Sequence, residues 1–146
     1  MGADLYRESI TEPASAKYRA DWLHAIQDHT PSDEQCEKAH QEECDRLWEL
    51  MYPEEGYFRD SYNSSNLLWT LGLSWWQLPI DDDGYMGGDK LKEFHDQVVN
   101  ATQTIPEKVP DAEKAEAIQY FQEKRKKLIT FLDGAINAGE RVRFSV

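Results

Sequence analysis

Cysteine is scarce in this chain. Only Cys36 and Cys44 occur among its 146 residues, too few for a disulfide scaffold. A long apolar run is also missing: the richest stretch, Leu67–Trp76, is about half the ~20 residues that a membrane-spanning helix needs. Basic residues are in the minority, 16 against 28 acidic ones, giving a net charge of −12. A field of that sign repels nucleic acid backbones and anionic membranes and favours basic partners. Neither direct nucleic acid binding nor membrane binding is therefore expected. Mimicry of nucleic acid is compatible with the charge, but most acidic proteins mimic nothing. No repeat, low-complexity tract or interdomain linker interrupts the sequence, and its first residues do not read as a charged-then-apolar leader. The expectation is a cytoplasmic protein with reduced thiols, residues 1–146 forming a single globular domain.

Aromatic residues, at 12%, are what the chain does have, and hydrophobic content of 40% argues against disorder despite a mean hydropathy of −0.77. The densest stretch is Gly56–Trp76, GYFRDSYNSSNLLWTLGLSWW, which holds three of the five tryptophans. Each aromatic side chain buries roughly 150–250 Å², so such density marks either a structural centre or a binding surface. The segment is expected to form the centre of the fold, with Leu68, Trp69, Leu71 and at least one of Trp75 and Trp76 buried.

Periodicity predicts a mainly α, single-domain bundle of about five helices, with a small strand pair made by the two ends. Ala3–Ser9 alternates as a short strand before a helix start at Thr11 and Pro13. That helix carries Tyr18, Trp22, Ala25 and Ile26 on one side. Ser32 is the expected cap of a second helix, with Gln35 completing a capping box. Its stripe is His40, Cys44, Leu47 and Met51, with Trp48 at the margin and Pro53 as the stop. Asn63 or Ser64 can cap a third helix through Leu67, Leu68 and Leu71 that breaks at Gly72. Gly88 or Asp89 starts a fourth, with Leu91, Phe94, Val98 and Thr102 inward. Asp111 caps the longest helix, to about Ala138, whose inner positions are Ile118, Phe121, Arg125, Leu128, Leu132 and Ala135. Gly139 is its C′ residue. Val142, Phe144 and Val146 then alternate with Arg141 and Arg143, which are expected to face Asp4 or Glu8 across the terminal pair.

The segments MGADLY (Met1–Tyr6), GYFRDSYN (Gly56–Asn63), LLW (Leu67–Trp69) and LGLSWW (Leu71–Trp76) together resemble a group of small uncharacterised bacterial proteins. The likeness extends more loosely over the long helix and the last strand. It implies a bacterial, single-domain chain and brings no activity, substrate or catalytic residue with it.

Candidate chemistry is thin. Cys36, His40 and Cys44 fall at i, i+4 and i+8 on one helix, yet residues i and i+8 are separated by about 12 Å along the axis, so they cannot close a tetrahedral zinc site. They read instead as small core-facing residues. Asp81-Asp82-Asp83-Gly84 looks like a calcium loop until Gly84 is aligned with that motif's glycine. Pro79 and Lys90 then occupy the first and last ligand positions, and the run reads as an acidic turn. No metal or other cofactor is expected. Lys124-Arg125-Lys126-Lys127 covers every side of a helix and is expected to pair with acidic neighbours. His24, His29 and His95 have no acid or nucleophile at a meaningful spacing, and Glu54 and Glu55 are expected to face solvent.

The best candidate site is Arg59, Asp60, Tyr62 and Asn63, with Tyr57, Trp75 and Trp76 beside them. A guanidinium fork and neutral donors next to an apolar wall suit recognition of a carboxylate or phosphate. The structural alternative is that Asp60 or Asn63 caps the next helix and Arg59 forms an internal ion pair. No catalytic residue is identified. The function expected is that of a soluble acidic binding or interaction protein, of the inhibitor or immunity type, whose partner is another protein with a basic surface. The alternative is a small enzyme or small-ligand-binding protein that uses the polar cluster in a pocket walled by Trp69, Trp75 or Trp76. A deep pocket with these polar groups converging would favour the second, whereas a flat patch, or a filled interior with Arg59 paired to a carboxylate, would favour interaction or a purely structural role.

Overall fold

The computed structural model describes residues 3–27, 33–60, 67–73, 77–102 and 109–145, without the side chain of Trp69. Among the described residues four short strands, β1 (Asp4–Tyr6), β2 (Tyr57–Arg59), β3 (Tyr85–Met86) and β4 (Val142–Ser145), form one antiparallel sheet in the order β2-β1-β4-β3. The two ends pair as expected, with Leu5 opposite Phe144 and Tyr6 opposite Arg143. The expected strand pair is, however, only the inner half of a four-stranded sheet. β2 and β3 are three and two residues long, too short for alternation to distinguish them from loop.

Alternation along the strands sorts the sheet's two faces. Leu5, Phe58, Met86, Val142 and Phe144 are buried on one face. Helices α4 (Gly88–Asn100) and α5 (Asp111–Asn137) pack there, with Phe94 against Phe144 at 6.0 Å and Phe131 against Phe58 at 6.4 Å between ring centroids. The expected inner faces hold. Leu91, Phe94 and Val98 of α4 are buried, as are Phe121, Leu128, Leu132 and Ala135 of α5, while Ile118 and Arg125 are half-buried. Thr102 lies past the end of α4 and is exposed. Arg125, a cation in an apolar stripe, has a specific use. Its Nε donates to the Val98 carbonyl at 3.0 Å and a second N–H reaches the Val99 carbonyl, satisfying orphan acceptors in the last turn of α4. Arg125→Met should keep the packing of the stem but cost about 1–2 kcal/mol in denaturant unfolding. A midpoint equal to the parent's would contradict this role.

Of the five helices expected, four are full-length; of the third, one turn, α3 (Leu67–Thr70), falls within the described residues, and its expected cap at Asn63 or Ser64 lies outside them. Phe58, Asp60, Leu67, Leu68, Thr70 and Leu71 are buried, so these residues of the Gly56–Trp76 segment do lie at the centre, whereas Arg59 and Gly72 are exposed. Trp69's side chain and Trp75 and Trp76 fall outside the described residues. The N-cap of α5 is Pro110 rather than Asp111, which sits in the first turn. Gly139, at φ +64, ends α5 as expected and turns the chain toward β4.

Helix α1 (Glu8–Gln27) begins before the expected Thr11–Pro13 start, and Pro13 lies inside it. The start is fixed by Arg7, whose carbonyl accepts from Ile10 and Thr11 N–H at 3.0 Å each. Its guanidinium is held by Glu140 and by the Glu55 carbonyl. Gly56 lets α1 seat against this corner, since a Cβ there would meet Ile10 Cγ2 at 2.6 Å. Helix α2 (Glu34–Met51) is capped by Asp33 instead of Ser32, its carboxylate accepting from Cys36 N–H at 2.8 Å. Ser32 itself is outside the described residues. Cys44, Leu47 and Met51 are the buried stripe.

Burial pushes the Glu140 carboxyl upward, but hydrogen bonds from Ser9 and Arg7 and the Arg7 charge outweigh it and hold the group below its ordinary 4.5. A depressed carboxylate contributes stability that is present above the unfolded value and lost as pH falls through the folded one. Arg7→Gln should therefore destabilise the protein at neutral pH and flatten the fall in stability below about pH 4.5. Parallel stability–pH curves for parent and variant would show the pair to be inert.

Candidate functional site

β2 places Tyr57 and Arg59 on the sheet face opposite the core and sends Phe58 inward. The Tyr57 hydroxyl donates to Asp4 Oδ1 at 2.7 Å. Burial first, then that hydrogen bond and the Asp4 charge, push the phenol well above its ordinary value, so it stays neutral. Arg59 Nε lies 3.7 Å from the same Asp4 carboxylate, with the guanidinium side chain mostly exposed.

Asp60 does not join them. It is fully buried, accepts from Leu67 N–H at 2.9 Å and from the Tyr120 hydroxyl at 3.2 Å, and so ties α3 to α5. The expected cluster is thus divided: Arg59 is at the surface, and Asp60 serves the fold as a helix cap. Alternation separates them, because adjacent residues of an extended chain point to opposite faces. Tyr62, Asn63, Trp75 and Trp76 lie outside the described residues.

What gathers around Tyr57 and Arg59 comes from elsewhere. The end of α2 contributes Trp48 and Tyr52, and α5 contributes Lys124 and Lys127. Together they line an open groove of about 530 Å³, with Glu49, Pro53, Glu54 and Phe58 completing it. Trp48 and Tyr52 lie 4.5 Å apart between ring centroids, and Tyr52 and Tyr57 5.3 Å, all tilted. The rings form a continuous wall. Lys124 Nζ donates to the Arg59 carbonyl at 2.6 Å and sits 5.5 Å from the Phe58 ring centroid, closing part of the outer edge of β2. Lys127 Nζ lies 3.5 Å from Glu54. Sequence spacing carried a signal for two of these residues: Trp48 and Tyr52 are i and i+4 at the end of α2, where Tyr52 is the C-cap and its N–H donates to the Trp48 carbonyl.

Most other sequence candidates resolve into structural contacts. Cys36, expected to face the core, is instead exposed in the first turn of α2. His40 Nε2 bonds the Ala25 carbonyl at 2.7 Å, with Cys44 Sγ at 3.5 Å, linking α2 to α1. Among the described residues no group of three metal-ligating side chains converges. Asp81 Oδ1 accepts from Asp83 and Tyr85 N–H at 3.0 and 2.8 Å, closing the acidic turn. His95 lies between Asp96 and Asp133, 2.7 Å from the latter, and joins α4 to α5. His24 is exposed and His29 is outside the described residues. Arg143 faces Glu8 at 3.7 Å, one of the expected terminal contacts, whereas Arg141 stacks on Tyr85 at 3.6 Å from its centroid.

Comparison of the chain with protein-family models, with curated proteins and with solved structures gave no match.

Proposed function

We propose that this is a soluble, acidic interaction protein of the bacterial cytoplasm, of the inhibitor or immunity type, whose partner is a protein with a basic surface. The observation that carries the reading is the α1–α2 hairpin. Thr11 is the only buried residue of α1 among those described, and the sheet core includes no residue of either helix. On its surface Leu23, Ile26 and Trp48 are exposed large hydrophobics, at 38%, 44% and 38%. Trp22 packs beside Trp48 at 5.7 Å, and Ile26 follows Trp22 by one turn. Around this apolar stripe α2 exposes Glu34, Glu37, Glu42, Glu43, Asp45 and Glu49 against only Lys38 and Arg46. An apolar centre with a charged rim is the anatomy of a protein interface, and an exposed Trp is a frequent anchor. No described helix is long and apolar enough to cross a membrane.

The tagged chain in a native extract should migrate as a complex larger than its own 17.0 kDa, one that dissociates at high salt. Ile26→Asp combined with Trp48→Ser should release the free chain while the melting curve stays cooperative. Migration as a bare monomer at low salt would contradict the proposal.

A further inference from the structure

The groove beside the hairpin has a different character from the rest of the molecule. Arg59, Lys124 and Lys127 come together there in a chain with a net charge of −12. Lys124 and Lys127 each have an internal contact that leaves capacity over. Arg59 lies 3.7 Å from Asp4 with its side chain 55% exposed, and Lys124 donates to a neutral carbonyl. Lys127 meets Glu54 at 3.5 Å, and the Glu54 side chain is 78% exposed. Pairs this exposed contribute little and are readily exchanged. Beside the cations stands the unbroken wall of Trp48, Tyr52 and Tyr57, in a space within the usual range for small-molecule sites.

We propose that this groove binds a small organic anion carrying a flat aromatic ring. The ring lies against Trp48 and Tyr52, and its phosphate or carboxylate is held by Lys127 and Lys124, with the Arg59 charge beside them. Glu54 then acts as an internal competitor, its carboxylate standing where the ligand's anionic group would sit. The crowding of positive charge is felt at Lys124. Burial pushes its ammonium down, Lys127 pushes it further, Asp60 pulls it back up and Arg59 again lowers it. An incoming anion relieves that repulsion. Aromatic walls supply apolar contact at little entropic cost, while cations fix orientation.

The test uses phenyl phosphate and benzoate as probes against the full-length chain, read by NMR shifts of the Trp48 indole and the Tyr57 amide. At least one probe should shift both signals saturably. Phenol and inorganic phosphate, each carrying half of the chemistry, should bind at least about tenfold more weakly. Lys127→Gln should weaken the active probe about tenfold, and Glu54→Gln should tighten it several-fold, since one removes a partner and the other a competitor. Both positions are exposed, so the fold is retained. No saturable shift up to about 10 mM would overturn the proposal. So would inorganic phosphate binding as tightly as the ring-bearing probes, or an affinity that neither substitution alters.

Discussion

Removal of Arg141–Val146 is expected to abolish cooperative folding. β4 is an inner strand, hydrogen-bonded to β1 on one side and β3 on the other, so its loss leaves β3 unpaired and cuts the sheet to the short β1–β2 pair. It also takes away Val142 and Phe144, which are 0% and 5% exposed. A buried Phe alone is worth about 3–5 kcal/mol, and a domain of this size has only about 5–15 kcal/mol in total. Strands of two and three residues do not stand without partners. Thermal melting followed by near-UV circular dichroism should show no transition for the truncated chain. The milder Phe144→Ala should still melt cooperatively, with stability reduced by about 3–5 kcal/mol. A truncated chain that melts within a few degrees of the parent would show the last strand to be a tail.

Asp60→Ala should be the most damaging single change in the candidate segment, at about 3 kcal/mol. The carboxylate is fully buried and accepts from the Leu67 N–H and the part-buried Tyr120 hydroxyl, and truncation removes the acceptor for both. Asp60→Asn keeps an acceptor oxygen and should cost less. Arg59→Ala, one residue away but exposed, should change stability by no more than about 0.5 kcal/mol. That contrast separates a structural acid from a surface cation. Equal losses at the two positions would mean that they act as one cluster.

Much of this architecture was legible because it rests on long periodic elements. The stripes of α2, α4 and α5 read directly from residues three and four apart, and Gly139 marked where α5 ends. The pairing of the two ends was legible too, since Leu5 and Val142–Phe144 alternate in segments with no helical pattern. What escaped was set by tertiary contact. The α1 start depends on Arg7 reaching Glu140 and Glu55, residues far along the chain, and no local capping signal encodes that. The groove was half legible. Tyr57 and Arg59 were singled out for their chemistry, but Asp60 was grouped with them because adjacency in sequence hides alternation in a strand. Trp48, Tyr52, Lys124 and Lys127 reach the groove only through the docking of α2 and α5, which spacing alone does not specify.

The central claim is that the α1–α2 hairpin is covered by a basic protein partner. It is tested most directly by a photo-crosslinking residue placed at Ile26 and, as a control, at the exposed Gln122 of α5, in the cell the protein comes from. Ile26 should give one discrete adduct with a basic protein. That adduct should vanish when Glu42, Glu43 and Asp45 are replaced by lysine, and Gln122 should give none. Equal, diffuse adducts from both positions, or an Ile26 adduct indifferent to the charge reversal, would contradict it.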